Sequence, residues 1–281
     1  TRRSCRCAVM NSYVPLTPND LVLAALLILV NAGISIAFRL GLERTLLFAS
    51  VRMVVQLALV GLVLKWIFEQ TSPLWTLGLA SIMVAAAGYE AISRQEHRIS
   101  GWATYGLGAG TLLLVGTFAT IYAVAGVIAP DPWYAPRFVL PILGMVLGNS
   151  LTGIALSLDT LTATAARDRA AIEARLALGQ PRLTALSDTT RRALRTGLTP
   201  ILNAMAASGV VSLPGMMTGQ ILAGVDPVEA TKYQILIMFL IAGSTALGVL
   251  IATFGGAFLI TDDRHRLRLD RLVTKKKSPL R

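Results

Sequence analysis

LLFASVRMVVQLALVGLVLKWI, residues Leu46 to Ile67, is long enough to cross a bilayer and holds only two charges, Arg52 and Lys65. A transmembrane helix needs ~20 mostly apolar residues. Lipid offers no partner for free N–H and C=O groups, so such a run must be helical. Working outward, six more runs of the same kind are Asp20–Phe38, Leu74–Ala91, Gly106–Ile128, Phe138–Leu158, Leu198–Ala223 and Tyr233–Ile260. Barrel strands would alternate over roughly ten residues, and these runs do not alternate. The expected fold is an all-α integral membrane protein with seven transmembrane helices.

Composition agrees. Of 281 residues 54% are hydrophobic and 15% charged, whereas a soluble domain carries about 25% charged residues. The mean hydropathy is +0.64. A net charge of +11 raises nucleic acid as a partner. The basic residues lie between the apolar runs and at the chain ends, with no basic-aromatic interleaving, so no nucleic-acid partner is expected. They also set the orientation. Arg39 and Arg44 follow the first run, and Arg94 and Arg98 the third. Arg167, Arg169, Arg175, Arg182, Arg191, Arg192 and Arg195 follow the fifth. Arg264, Arg266, Arg268, Arg271, Lys275, Lys276, Lys277 and Arg281 follow the seventh. The other loops are short and hold Lys65, Arg137 and Lys232 beside Glu69, Asp131, Asp226 and Glu229. The alternation places the N-terminus outside and the C-terminus in the cytoplasm, which requires an odd number of spans.

The chain divides into an N-terminal tail (1–15), a seven-span domain (16–261) and a basic cytoplasmic tail (262–281). Met10 opens a natural start, so residues 1–9 read as an upstream extension, which would also remove Cys5 and Cys7. A Cys-x-Cys pair suits a soft metal, but on a tail the plain reading is no role. No basic n-region adjoins the first run and no small-residue cleavage site follows it, so it reads as retained rather than as a signal peptide.

The loop at 159–199 stands apart. It is charged and Ala-rich, and its centre reads Ile172-Glu173-Ala174-Arg175-Leu176-Ala177-Leu178-Gly179-Gln180-Pro181. The alanines favour short helices, and Gly followed by Pro stops one. The Glu-Ala-to-Gly spacing resembles the cytoplasmic coupling loop of ABC-transporter permeases. There a short helix on the membrane surface sits in a groove of a separate ATP-binding subunit. On that reading Ile172, Leu176 and Leu178 are apolar anchors, Glu173 offers a carboxylate to a basic partner, Ala174 is the second residue of the Glu-Ala motif and Gly179 makes the turn. The plainer alternative is an amphipathic helix held by arginine to anionic lipid. Arg175 stands where the importer version has a second Ala, and Thr189-Thr190-Arg191-Arg192 where it continues Ile-x-Leu-Pro.

The sixth run contains Ser212-Leu213-Pro214-Gly215-Met216-Met217-Thr218-Gly219-Gln220. Pro214 removes a backbone donor and Gly215 permits a bend. A broken helix at membrane depth is tolerated where it lines a cavity or is buried in protein. Pro214, Gly215, Met216, Met217 and Gln220 are therefore expected along a pathway. The alternative is a kinked packing helix with Gly215-x-x-x-Gly219 as its contact face. Gly106-x-x-x-Gly110 and Gly144-x-x-x-Gly148 have the same packing signature. Polar residues inside the spans default to the bundle interior or a pathway. Gln56, Glu90 and Asn149 are the next pathway positions, and Arg52 is a helix-packing residue that could pair with Glu90.

No Gly-x4-Gly-Lys-Ser/Thr phosphate loop is present, so the chain is not expected to hydrolyse ATP that way. The chain has no His-Glu-x-x-His metalloprotease motif; its two histidines are His97 and His265. No cluster of hard oxygen ligands, or of His and Cys, nominates a metal site, and no cofactor is expected.

Arg52-x-x-x-Gln56-Leu57, Gly144-Met145-Val146-Leu147-Gly148-Asn149-Ser150-Leu151-Thr152-Gly153, Glu173 to Gly179 and Ser212 to Gly224 together resemble the FetB-type permease family. That family takes in bacterial iron exporters and plant aluminium-tolerance permeases. The likeness runs from about Leu16 to Thr261. It implies a permease without its own ATPase site, paired with a separate ATP-binding subunit as two of each, in the bacterial inner membrane. For bacterial members it implies iron export and oxidative-stress protection, and for plant members a nucleotide-sugar cargo. The resulting expectation is an ABC exporter subunit with iron as the favoured cargo. A secondary transporter would need coupled ionisable sites in one chain, which the spans nearly lack. A non-transport membrane protein whose loop docks a partner is the third reading.

Overall fold

The computed structural model describes residues 17–69, 72–93, 97–99, 102–262, 266–268 and 272–274. The expectations placed on Cys5, Cys7, Met10, His265 and Lys275 to Lys277 lie outside the described residues. The helices are α1 (Pro18–Ala37), α2 (Glu43–Glu69), α3 (Pro73–Ser93), α4 (Trp102–Ile121), α5 (Pro136–Arg167), α6 (Arg169–Ala177), α7 (Arg182–Ala185), α8 (Ser187–Ala207), α9 (Gly215–Leu222) and α10 (Pro227–Leu259). α4 runs on as a π-helix, Tyr122–Ile128.

The fold is almost entirely helical, with one small departure from all-α. β1 (His97–Ile99) and β2 (Leu272–Thr274) form an antiparallel ribbon with Arg98 opposite Val273. Three-residue strands carry too little periodicity to read from sequence.

Among the described residues six helices are long and apolar enough to cross a membrane: Asn19–Ala37, Glu43–Glu69, Pro73–Ala91, Gly106–Ile128, Pro136–Arg167 and Pro227–Leu259. They coincide with six of the seven expected spans. The seventh, Leu198–Ala223, is not one helix. α8 ends at Ala207 and α9 begins at Gly215.

The chain forms two compact units. The first holds α1, α2 and α9. α1 opens on a capping box: Thr17 Oγ1 and Thr17 N–H both donate to Asp20 Oδ2 at 2.8 Å, satisfying donors a helix start leaves free. α1 and α2 pack as a hairpin. Ser35 Oγ donates to Glu43 Oε2 and accepts from Leu42 N–H, both at 3.0 Å. In α2, the most apolar stretch is exposed along its whole length. A long helix that is apolar and exposed away from its α1 contact fits a lipid environment.

The second unit holds α3 to α8 and α10 from Thr231. α5 packs most extensively on α8, and also on α3 and α4. One core cluster joins Val84, Leu112, Leu143, Leu147, Ile154, Leu158 and Ala252. Helix crossings are closed by glycines. A Cβ on Gly88 would meet Ala109 Cβ at 2.7 Å, and one on Gly256 would meet Leu161 Cδ2 at 2.8 Å. A crossing closed against backbone joins α5, α8 and α10. A Cβ on Gly197 would lie 2.8 Å from Gly153 O and 3.0 Å from Val249 Cγ1. α5 and α10 have 32 and 33 residues, or about 48 and 50 Å at 1.5 Å per residue. Both outrun a ~30 Å hydrocarbon core, so one end of each is free to build the loop region. There a second cluster joins Leu161, Ala165, Ile172, Ala185, Leu186, Ala193, Ala257 and Ile260.

Candidate functional site

The loop after α5 folds as a helical hairpin. Asp168 alone separates α5 from α6. Arg167 Nε donates to its Oδ1 at 3.0 Å, and that hydrogen bond holds the Asp168 carboxyl below the usual carboxylate range. α6 ends in a reversal. Gly179 N–H donates to Leu176 O at 3.0 Å and Gln180 N–H to Arg175 O at 3.1 Å, with Gly179 at φ +84. A Cβ there would meet nothing within 4 Å, so glycine is required by the left-handed backbone and not by space.

The hairpin has an inner and an outer face. Ile172 is 3% exposed and sits in the second core cluster, with Leu176 packed against it. Ile172 is therefore not available as an anchor for another protein, because the cluster under α6 already covers it. Arg175 also serves the fold. Its Nη2 pairs with Asp188 Oδ2 at 2.8 Å and its Nη1 donates to Ala185 O at 3.4 Å, tying α6 to α7 and the start of α8. The Arg182 guanidinium lies 4.5 Å from the centroid of the Phe258 ring, tying α7 to α10 by a cation–π contact. The outer face presents Glu173, Ala174, Ala177, Leu178 and Gly179. Leu178 is 83% exposed. Glu173 Oε1 is held by Arg169 Nε at 2.8 Å on the surface, a pair worth about 0.5 kcal/mol, so a basic partner could displace it cheaply.

The second candidate is the non-helical segment 208–214 that follows α8. The expected bend at Pro214-Gly215 is in fact the far edge of a seven-residue break. The helix stops at Ala207 because Gly209 turns to φ +89. Val211 and Ser212 N–H both return to Ala207 O at 3.0 Å. Ser208 Oγ donates back to Ala204 O at 2.7 Å, and Gly209 N–H to Ser212 O at 2.9 Å. Val210 and Val211 stand exposed at 93% and 82%. Pro214 precedes α9, where its missing N–H costs nothing. Met216, Met217 and Gln220 are half-buried, and Gln220 Oε1 is buried without a hydrogen-bond partner. A second glycine, Gly224 at φ +88, ends α9, and Asp226 Oδ1 accepts from Val228 N–H at 2.9 Å to start α10.

The remaining predicted residues lie on α2, α3, α5 and α9. Gln56 and Arg52 are exposed on α2, and Glu90 is half-buried near the end of α3. Asn149 is exposed, with Nδ2 donating to Met145 O at 2.9 Å on its own helix. Of the packing glycines, Gly144 faces Met83 Cε, which a Cβ would meet at 3.2 Å. Gly148 and Gly219 have nothing within 4 Å among the described residues. Gly153 and Gly197 are among the glycines at closer crossings, and no four-residue glycine spacing marks them in the sequence. The Arg175–Asp188 pair spans the turn and was likewise invisible to local spacing.

The profile of the uncharacterised protein family UPF0014 matches residues 18–259, which takes in every helix from α1 to α10. Probable iron export permease protein FetB of Escherichia coli K12 is 33% identical over 270 residues, covering 95% of this chain and 100% of that protein. A UPF0014 membrane protein of Synechocystis is 37% identical over 230 residues, covering 80% of this chain and 87% of that one. Protein ALUMINUM SENSITIVE 3 of Arabidopsis thaliana is 31% identical over 231 residues, covering 82% of each chain. No solved structure matches. With near full-length similarity to such relatives and a family match across the helical domain, the chain belongs to the UPF0014 family of membrane proteins.

Proposed function

We propose that this protein is the membrane permease subunit of an ATP-driven exporter, energised by a separate ATP-binding subunit that docks on the α6 hairpin. The observation that carries the reading is the hairpin's two-sidedness. Its inner face is fastened by Ile172, Arg175 and Arg182, while its outer face leaves Leu178 and the Glu173–Arg169 pair open. A rigid surface with an exposed apolar tip and a displaceable charge suits a groove on a motor protein. Iron is the favoured cargo, supported by the name of the E. coli relative. A nucleotide sugar is the alternative cargo.

In this reading the 198–223 segment crosses as a seventh span. The N-terminus lies outside and the hairpin in the cytoplasm, in a bacterial inner membrane. Two permeases assemble with two ATP-binding subunits. The break, with Met216, Met217 and Gln220 beside it, contributes to the pathway.

Leu178→Asp tests the docking. Leu178 makes no core contact, so the variant should insert and melt as wild type does. A charge in a desolvated interface should cost a few kcal/mol, enough to lose a complex of ordinary affinity. Co-expressed with an ATP-binding-cassette subunit, L178D should fail to retain it and lose permease-stimulated ATP hydrolysis. Full retention and stimulation would remove the hairpin's assigned role.

A further inference from the structure

α8 carries an open face beside the buried stripe of Thr189, Thr190, Ala193, Gly197 and Ile201, with Thr190 on the border of the two. A groove of about 550 Å³ runs along it, and Arg191, Leu194, Arg195, Leu198 and Leu202 line it from this one helix. Arg191 and Arg195 are exposed. No acidic residue is among the described residues that line the groove. Asp188, one turn away, is already paired with Arg175. The lining is also ordered along the axis. The arginines lie toward the hairpin, and Leu198 and Leu202 lie toward the break. Arg191 to Leu202 rises about 16 Å, close to one leaflet of a ~30 Å hydrocarbon core.

We infer that this groove holds an anionic phospholipid, with its phosphate between Arg191 and Arg195 and an acyl chain along Leu198 and Leu202. Charge selects the occupant. A zwitterionic lipid has less net charge to offer the two guanidinium groups. A second copy related by a two-fold axis along the membrane normal would bring its own Arg191 and Arg195 to the same depth, so like charges would meet. The inference rests on the proposed orientation, with the hairpin end of α8 at a membrane surface. It concerns lipid held by the permease alone, without its motor.

The test uses the full chain purified in a neutral detergent, incubated with phosphatidylglycerol or phosphatidylcholine, with retained lipid counted by mass spectrometry. A basic residue near an anionic surface contributes about 1 kcal/mol, or roughly fivefold, so two give about a thirty-fold preference for phosphatidylglycerol. Arg191→Gln/Arg195→Gln should abolish that preference, and Arg169→Gln should keep it. An unchanged preference in the double variant overturns the site. So does displacement of the lipid by an equal concentration of inorganic phosphate, which would make it a free-anion site. A bimane label on Leu198→Cys, with Cys5 and Cys7 replaced by Ser, gives a readout that keeps both arginines. Tail-brominated phosphatidylglycerol should quench it, and absence of quenching overturns the proposal. An intermolecular disulfide through the same cysteine would assign the face to a second copy instead, which also overturns it. Capture of the ATP-binding subunit is scored separately through L178D, so a lost lipid site and a lost docking site give different results.

Discussion

Replacing Gly197 with Ala puts a methyl where three neighbours already stand. The new Cβ would lie 2.8 Å from Gly153 O, 2.8 Å from Ser157 Cβ and 3.0 Å from Val249 Cγ1. Two of these belong to α5 and one to α10, so α8 is blocked from two directions, and Gly153 O is backbone and cannot rotate aside. Restoring ordinary contact requires α8 to withdraw by roughly 0.6 Å along a buried interface. Overpacking of this kind costs about 1–3 kcal/mol, and a backbone obstacle puts it near the upper end. Helix propensity returns up to about 1 kcal/mol on Gly→Ala. The net expectation is about 2 kcal/mol of destabilisation. Gly148→Ala is the matched control. It makes the same chemical change on α5, but nothing lies within 4 Å, so it should be neutral or up to about 1 kcal/mol stabilising. The assay is the thermal unfolding midpoint in one detergent, where G197A should fall several degrees below wild type and G148A should not. Gly153→Ala/Gly197→Ala should cost less than the two single changes added, because one separation of α5 from α8 relieves both. If G197A and G148A melt alike, the described crossing of α5, α8 and α10 is wrong.

Three further outcomes are expected. On intact cells an impermeant maleimide should label Asp131→Cys and not Ala174→Cys, in a Cys5→Ser/Cys7→Ser background, and the reverse pattern would invert the proposed orientation. Arg175→Ala removes an ion pair with 40% and 66% exposed side chains; such pairs are worth at most about 1 kcal/mol, so the midpoint should barely move, while protease cleavage between α6 and α8 should speed up severalfold. Gln220→Leu removes a buried, unpartnered Oε1, which should leave stability equal or raised by about 1 kcal/mol, yet slow export; wild-type export would make Gln220 a packing residue only.

Six spans were legible because lipid imposes one solution on a long apolar run, and the six helices start and stop within a few residues of the expected limits, apart from the extended ends of α2, α5 and α10. Within the Leu198–Ala223 run the helix breaks earlier than Pro214-Gly215, for a physical reason. Hydropathy counts apolar side chains and is blind to the left-handed turn at Gly209 that ends α8 at Ala207. Pro214 drew attention to the right region, but the helix had already stopped before it. In the hairpin, the Gly179 turn was readable from Gly-Gln-Pro. Which way Ile172 and Leu178 face was not. Both are apolar residues on one short segment, and only packing on Leu161, Ala193 and Ile260 separates the buried residue from the open one. Arg175 was read as a departure from a pattern, and its partner Asp188 explains why a long cation stands there.

The unequal continuity of the helices that converge under the hairpin has a mechanical side. α5 runs about 48 Å from Pro136 to the hairpin core, with its one internal proline, Pro141, near the far end. It is a stiff strut. A tilt of about 10° at the hairpin sweeps its far end through about 8 Å, given that length. α8 leaves the same hairpin but stops at Ala207 on a jointed segment of exposed residues. On the proposed docking, a displacement entering at the hairpin would be carried along α5 as along a strut, whereas α8 offers no continuous helix past Ala207 to carry it further.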